Sequence, residues 1–199
     1  HNFVEVLPPE FLVIPRRPSW FEDRFKNDAE AQLGLFKSLE VVLRKKQIWL
    51  IGAISAILYL PLSVIAALWG TTYLERTMNL DVTSASTIIT MLAVGWLIGC
   101  PLAGKLSDVF RNRKMFLMLG SVGGFITMSL FLLASNMSMT SMMILMLIMG
   151  LLTGTQAIAF AVAIENSPRS LAATAVAVCN FLTMLMAAGL QNAVGWILT

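Results

Sequence analysis

Four uninterrupted runs in this chain, 47–74, 82–104, 115–164 and 170–199, contain no Lys, Arg, Asp or Glu, and 115–164 is long enough for two spans. Few folds accept such runs. A hydrocarbon layer about 30 Å thick takes about 20 apolar residues per helix. Its backbone polar groups must then be satisfied within the segment itself, which leaves helices or closed barrels. Barrel strands are about ten residues long and alternate in polarity, and these runs do neither. The sequence therefore predicts an all-α, polytopic transmembrane bundle with spans at about 48–74, 84–103, 115–134, 140–164 and 171–198. Charge agrees: 13% of the 199 residues are charged, about half of the ~25% usual in a soluble domain.

Arg16, Arg17, Arg24, Lys26, Lys37, Arg44, Lys45 and Lys46 precede the first span. Lys105, Arg111, Arg113 and Lys114 lie between the second and third, and Arg169 lies between the fourth and fifth. The other side carries only Arg76. The positive-inside rule places the N-terminal segment in the cytoplasm. Five crossings leave Thr199 outside, so a sixth span would be needed to bring the chain back. The net charge of +3 is the sum of these cationic segments and points to no nucleic acid. Cys100 and Cys179 sit in apolar runs without ligand partners, and the single histidine is His1. Zinc and histidine acid–base chemistry are excluded on that basis, and no cofactor is expected. The chain opens on His1 without an initiator Met, so it is read as a fragment.

Residues 1–47 read as a cytoplasmic linker and residues 48–199 as the transmembrane bundle. Pro8, Pro9, Pro15 and Pro18 break the start of the linker. Over 28–46, Leu33, Phe36, Leu39 and Leu43 recur at helical spacing with Lys37, Glu40 and Arg44 between them. This is an amphipathic helix on the cytoplasmic surface that feeds the first span, or alternatively a helix for a cytosolic partner. Within the spans, Gly95 and Gly99, Gly120 and Gly124, and Gly150 and Gly154 are each four apart. That spacing puts both members on one helix face and lets backbones approach, either as static packing or as surfaces that rock.

The segment from Gly104 to Lys114 holds Gly104, Leu106, Asp108, Phe110, Arg113 and Lys114 in the order Gly-x-Leu-x-Asp-x-Phe-x-x-Arg-Lys. It resembles the signature loop of the major facilitator superfamily of secondary transporters. Val109, Arg111 and Asn112 depart from the family pattern. A second stretch, Glu165 to Ala175 with Pro168 inside it, resembles that family's connection between its tenth and eleventh helices. The resemblance covers about 28–198 and implies the C-terminal six-helix half of such a transporter, lacking its last helix. Gly104, Asp108, Arg113, Lys114, Glu165 and Arg169 would then form the cytoplasmic gate. Asp108 is expected at the positive N-terminal end of the fifth span, Ser170 as that helix's N-cap, and Glu165 paired with Arg169.

The resemblance further implies secondary active transport of a small solute, a metabolite, amino acid or drug, by alternating access and with ion coupling. The partners would be the lipid bilayer, the small-molecule substrate and the missing N-terminal half. The location would be a bacterial inner membrane. Polar side chains inside spans are the candidate substrate contacts: Tyr59, Ser63, Trp69, Gln156 and Asn180. Each has interhelical hydrogen bonding as its alternative role. By resemblance the first and fourth spans line the cavity and the third is peripheral. No Asp or Glu lies inside a span, so a proton carrier would be Glu75, Glu165 or part of the missing half. A non-transporting scaffold or receptor, or an inactive half-transporter, is the alternative reading. A membrane enzyme is excluded because no interior His, Asp, Glu or Lys is present to activate a nucleophile. Gly99 to Lys105 mimics a phosphate loop, but Leu106 stands where a magnesium-binding hydroxyl is needed.

Overall fold

The computed structural model describes residues 34–133 and 137–198. The linker prolines and Leu33 lie outside the described residues. A short helix α1 (Leu35–Leu43) is followed by α2 (Lys46–Met78), α3 (Val82–Val109), α4 (Arg113–Leu133), α5 (Met139–Glu165) and α6 (Ala172–Leu198). A 3-10 turn, Arg169–Leu171, leads into α6. No strand occurs among the described residues. Among the described residues, helices α2 to α6 are the five segments long and apolar enough to cross a membrane.

The helices outrun the apolar runs because polar residues cap and extend them. The Asp81 carboxylate accepts from the backbone N–H of Thr83 and Ser84 at 3.1 and 3.2 Å, which starts α3 before its first apolar turn. Ser138 caps α5 by accepting from Ser141 N–H at 3.3 Å. Asn79 ends α2 in the left-handed region at φ 50°, a conformation asparagine tolerates. At the other end, α3 continues through Gly104 to Val109, and α4 begins at Arg113. The expected signature loop is therefore mostly helix, with a turn of only three residues, Phe110 to Asn112. Arg111 supplies its left-handed residue at φ 50°.

Two helices carry breaks. Pro61 has no N–H to offer its preceding turn, and α2 widens into a π-helix over Pro61–Trp69. Gly70 closes that segment by donating to Ile65 O, five residues back. Helix α5 tightens at Gly154 and Thr155. There the N–H groups of Thr155, Ala157 and Ile158 each bond a carbonyl three residues back.

Between α3 and α5 glycine packs directly against backbone. A Cβ on Gly99 would sit 2.5 Å from Leu151 O, and one on Gly154 would sit 2.7 Å from Cys100 N. Gly95 and Gly150 face Leu147 O and Leu92 O more closely still. On α4, a Cβ on Gly120 would lie 2.7 Å from Leu152 O, and one on Gly124 would lie 3.1 Å from Thr153 Cγ2. All three glycine pairs thus face helix seams, with α5 wedged between α3 and α4. Helix α2 packs on α6, where a Cβ on Gly52 would meet Leu182 Cβ at 2.8 Å. One apolar cluster joins Leu74, Ile88, Leu92, Phe131, Met142 and Met146. A second, nearer the cationic ends, joins Val42, Ile48, Ala159, Ala163, Ala175 and Leu182. Helix α4 is 22% buried along its span against 56% for α2, so the third span is the peripheral one.

Helix α1 departs from its expected apolar face. Val42 and Ser38 are buried, Leu39 is half-buried, and Phe36 is 86% exposed. The spacing marked an apolar stripe, but the bundle takes the neighbouring stripe.

Gly150→Ala is expected to destabilise the bundle by about 1–3 kcal/mol, because the added methyl has only the α3 backbone to displace. Gly189→Ala meets nothing within 4 Å and should be neutral or stabilising by up to about 1 kcal/mol. Thermal unfolding in detergent compares the two. Hydrogen bonds from Ser84, then from Thr83, hold the Asp81 carboxyl below its ordinary value of 3.8. A depressed folded pKa stabilises above the unfolded value and loses that contribution as pH falls through the folded pKa. The melting temperature should therefore fall below pH 3.8. Asp81→Asn keeps the cap and should remove this part of the acid slope.

Candidate functional site

Arg113, the first residue of α4, joins three helix ends. One of its terminal nitrogens lies 2.6 Å from Asp108 Oδ1 and also 2.6 Å from Ser107 Oγ on α3. The other donates to Glu165 Oε1 at 2.8 Å, with Nε adding a second contact to the same oxygen at 3.1 Å. Ser107 in turn donates to Gly104 O at 2.9 Å, tying the guanidinium to the α3 backbone. These groups, with Arg111, line a cavity of about 230 Å³. The Arg113 side chain is 26% exposed, while Asp108 and Glu165 are 64% and 51% exposed. The carboxylates remain solvated, so the network is a tie between helices and adds little to global stability. Alongside it, Lys45 Nζ donates to Asn166 O at 2.8 Å, capping the end of α5 from the α1–α2 junction.

Two expected contacts are corrected. Glu165 pairs with Arg113, and Arg169 joins no ion pair among the described residues. Asp108 bonds Arg113, the partner found for it among the described residues. Both follow from Arg113: as the opening residue of α4 it reaches each carboxylate, whereas Arg169 is turned into a 3-10 segment. Ser170 lies within that segment and does not cap α6; the position before the turn is Pro168, which makes no side-chain cap. Lys114 is exposed beside the cluster and takes no part in its ion pairs.

The polar residues inside the spans fall into separate groups. Gln156, the first residue after the α5 break, donates from Nε2 to Ser55 Oγ of α2 at 3.3 Å. Thr183 Oγ1 of α6 lies 2.9 Å from the same oxygen and 2.9 Å from Cys179 O. All three side chains are buried, and Gln156 Oε1 has no hydrogen-bond partner among the described residues. Ser63 donates to Leu60 O at 3.2 Å, and its own carbonyl accepts from Gln191 Nε2 at 3.1 Å. Trp69 lines a cavity of about 380 Å³ with Tyr73, Arg76, Met128 and Phe131. Its indole N–H is buried without a partner among the described residues. Tyr59 is half-buried on α2, and Asn180 is exposed on α6. Of the five candidates, Trp69 lines one of the cavities described above. Ser55 and Thr183 were missed. The signal available for them was a small hydroxyl residue in an otherwise apolar run.

Five membrane-crossing helices, interlocked through glycines and tied at one end by an ion network, define a polytopic α-helical membrane protein. The sequence matches the model of the Major Facilitator Superfamily over residues 9–189, and the chain belongs to that family of membrane transporters. The membrane sensor protein UhpC of Escherichia coli (strain K12) is 29% identical over 109 residues, covering 52% of this chain and 24% of the relative. UhpC of Salmonella typhimurium (strain LT2) is 28% identical over 109 residues, with the same coverage. The alignment thus spans about a quarter of the length of these curated relatives. No solved structure gives a significant match.

A double-mutant cycle between Arg113→Gln and Glu165→Gln should give a coupling energy of about 1 kcal/mol or less, given the exposure of the pair. Thermal unfolding of the four proteins measures it. A coupling of several kcal/mol would show that the cluster is part of the core.

Proposed function

We propose that this chain is the C-terminal half of a secondary transporter that moves a small solute by alternating access with an N-terminal half. The observation that carries this reading is the Arg113 tie. One guanidinium fastens the ends of α3, α4 and α5 through solvated carboxylates, a contact strong enough to hold a gate and weak enough to release. Family membership supports it, as do the seams of small residues, across which helices can slide. On this reading the cationic end is cytoplasmic, in a bacterial inner membrane, and residues 1–47 are the linker that feeds the bundle at 48–199. Gly104, Asp108, Arg113, Lys114, Glu165 and Arg169 belong to the gate region. Tyr59, Ser63, Trp69, Gln156 and Asn180 are the candidates for lining the solute path. No span interior carries a cation to clamp a polyanion, which favours a neutral or zwitterionic metabolite or a drug as solute; coupling to an ion is part of the same proposal.

A second reading is a receptor that binds a solute without moving it. It is favoured by the matched relatives, which are named membrane sensor proteins. The test is solute uptake into proteoliposomes containing this chain together with an N-terminal half. Transport predicts saturable uptake that falls about tenfold in Arg113→Ala, the loss of about 1.4 kcal/mol of gate closure. Binding of the solute without flux in either protein would favour the receptor.

A further inference from the structure

Helix α1 has three sides. Ser38 and Val42 are buried, and Val42 belongs to the cluster that holds Ala163, Leu171 and Ala175, so one side is taken by the bundle. Lys37, Glu40 and Arg44 are exposed on a second side. Phe36 and Leu43 are seven residues apart, nearly in line on the helix surface, and form a third side that is 86% and 39% exposed. Among the described residues, neither Phe36 nor Leu43 joins a buried cluster.

The edge continues into the membrane-crossing part of the chain. Trp49 and Leu50, at the start of α2, are also exposed. The indole N–H of Trp49 donates to Leu43 O at 2.8 Å, which fixes the α1–α2 elbow and sets the ring beside the end of α1. Cations surround this edge: Lys37, Arg44 and Lys46 against the single carboxylate of Glu40. Arg44 pairs with Glu40, while Lys37 and Lys46 join no ion pair among the described residues. An apolar edge, an aromatic ring at the head of a span and a surplus of cations suit a bilayer interface, where anionic headgroups attract Lys and Arg.

We propose that α1 is docked in the headgroup layer of an anionic leaflet. Phe36, Leu43 and Trp49 enter the acyl boundary, and Lys37, Arg44 and Lys46 face lipid phosphates. Docked this way, α1 is a brace for the gate, because Lys45 at its end holds Asn166 O, one residue beyond the Glu165 that Arg113 grips. Lipid charge then bears on the same helix end as the ion cluster. The inference rests on the cationic end lying at a membrane face and does not depend on whether the protein transports or senses.

The test uses the full chain in nanodiscs of neutral phosphatidylcholine, with or without phosphatidylglycerol. A spin label on Phe36→Cys, in a Cys100→Ala, Cys179→Ala background, is read for access to oxygen, which partitions into lipid, and to an aqueous nickel chelate. The proposal expects oxygen access to dominate and nickel access to fall when phosphatidylglycerol is added. Each cation removed from Lys37→Gln, Arg44→Gln, Lys46→Gln should weaken the hold by roughly fivefold, and the triple variant should lose the lipid dependence. Hydrogen exchange of the α1 amides in the unmodified chain provides a variant-free check, with protection expected to rise with anionic lipid. Dominant nickel access in both membranes would overturn the proposal and assign the edge to a cytosolic protein partner. Oxygen access or amide protection indifferent to lipid charge would also overturn it.

Discussion

The fold depends on backbone approaching backbone without intervening side chains. In hydrocarbon, apolar side chains gain nothing by leaving lipid for one another, so association relies on dispersion contacts and interhelical hydrogen bonds. Glycine removes the Cβ that would hold helices apart. Between α3 and α5 this happens from both sides, with Gly95 and Gly99 against Leu147 to Leu151, and Gly150 and Gly154 against Leu92 to Cys100. Helix α4 uses Gly120 and Gly124 against the opposite side of α5. The tight turn at Gly154 and Thr155 takes part in both seams, Gly154 facing Cys100 of α3 and Thr155 facing Gly120 of α4.

That architecture separates rigid parts from adjustable ones. The glycine seams have fixed spacing but smooth surfaces. The polar contacts between spans include the tie of Gln156, Ser55 and Thr183 across α5, α2 and α6, the reach of Gln191 to Ser63 O, and that of Tyr73 to Leu132 O. At the cationic end, connection passes through long flexible side chains, Arg113 and Lys45, to solvated acceptors. A bundle held by smooth seams and charged ties can shift at its end without disturbing its middle.

Much of this was legible in the sequence. Apolar length gave the number of helices, with 115–164 long enough for two, and spacing of four gave the glycine seams, because both properties are local to one segment. Peripheral placement of the third span came from the family resemblance and matches the burial of α4. Partners across helices were less legible. Asp108, Arg113 and Glu165 were each singled out, yet their pairing depended on how far α3 extends past its apolar residues before the three-residue turn at Arg111 lets α4 begin. Ser55 and Thr183 carry no sequence signal beyond a hydroxyl; only the bundle brings them to Gln156. For α1, spacing identified an amphipathic helix with Leu33, Phe36, Leu39 and Leu43 in one stripe, but could not tell that the bundle would take Leu39 with Val42 and leave Phe36 and Leu43 exposed.

The π segment of α2 has a consequence for how that helix is seen by its neighbours. Each bond spanning five residues delays the winding relative to an α-helix, so beyond Gly70 the side chains are out of phase with those before Pro61. A single helical wheel drawn from Lys46 to Met78 therefore describes no real face. Before Pro61, α2 turns Ser55 toward α5 and α6; beyond the segment, it turns Tyr73 toward α4, where the hydroxyl reaches Leu132 O and the ring lies 5.0 Å from Phe131. One continuous helix thus serves two different sets of neighbours. The phase offset lies in the stretch that carries Ser63 and Trp69, so their directions cannot be deduced from that of Tyr59 by counting residues.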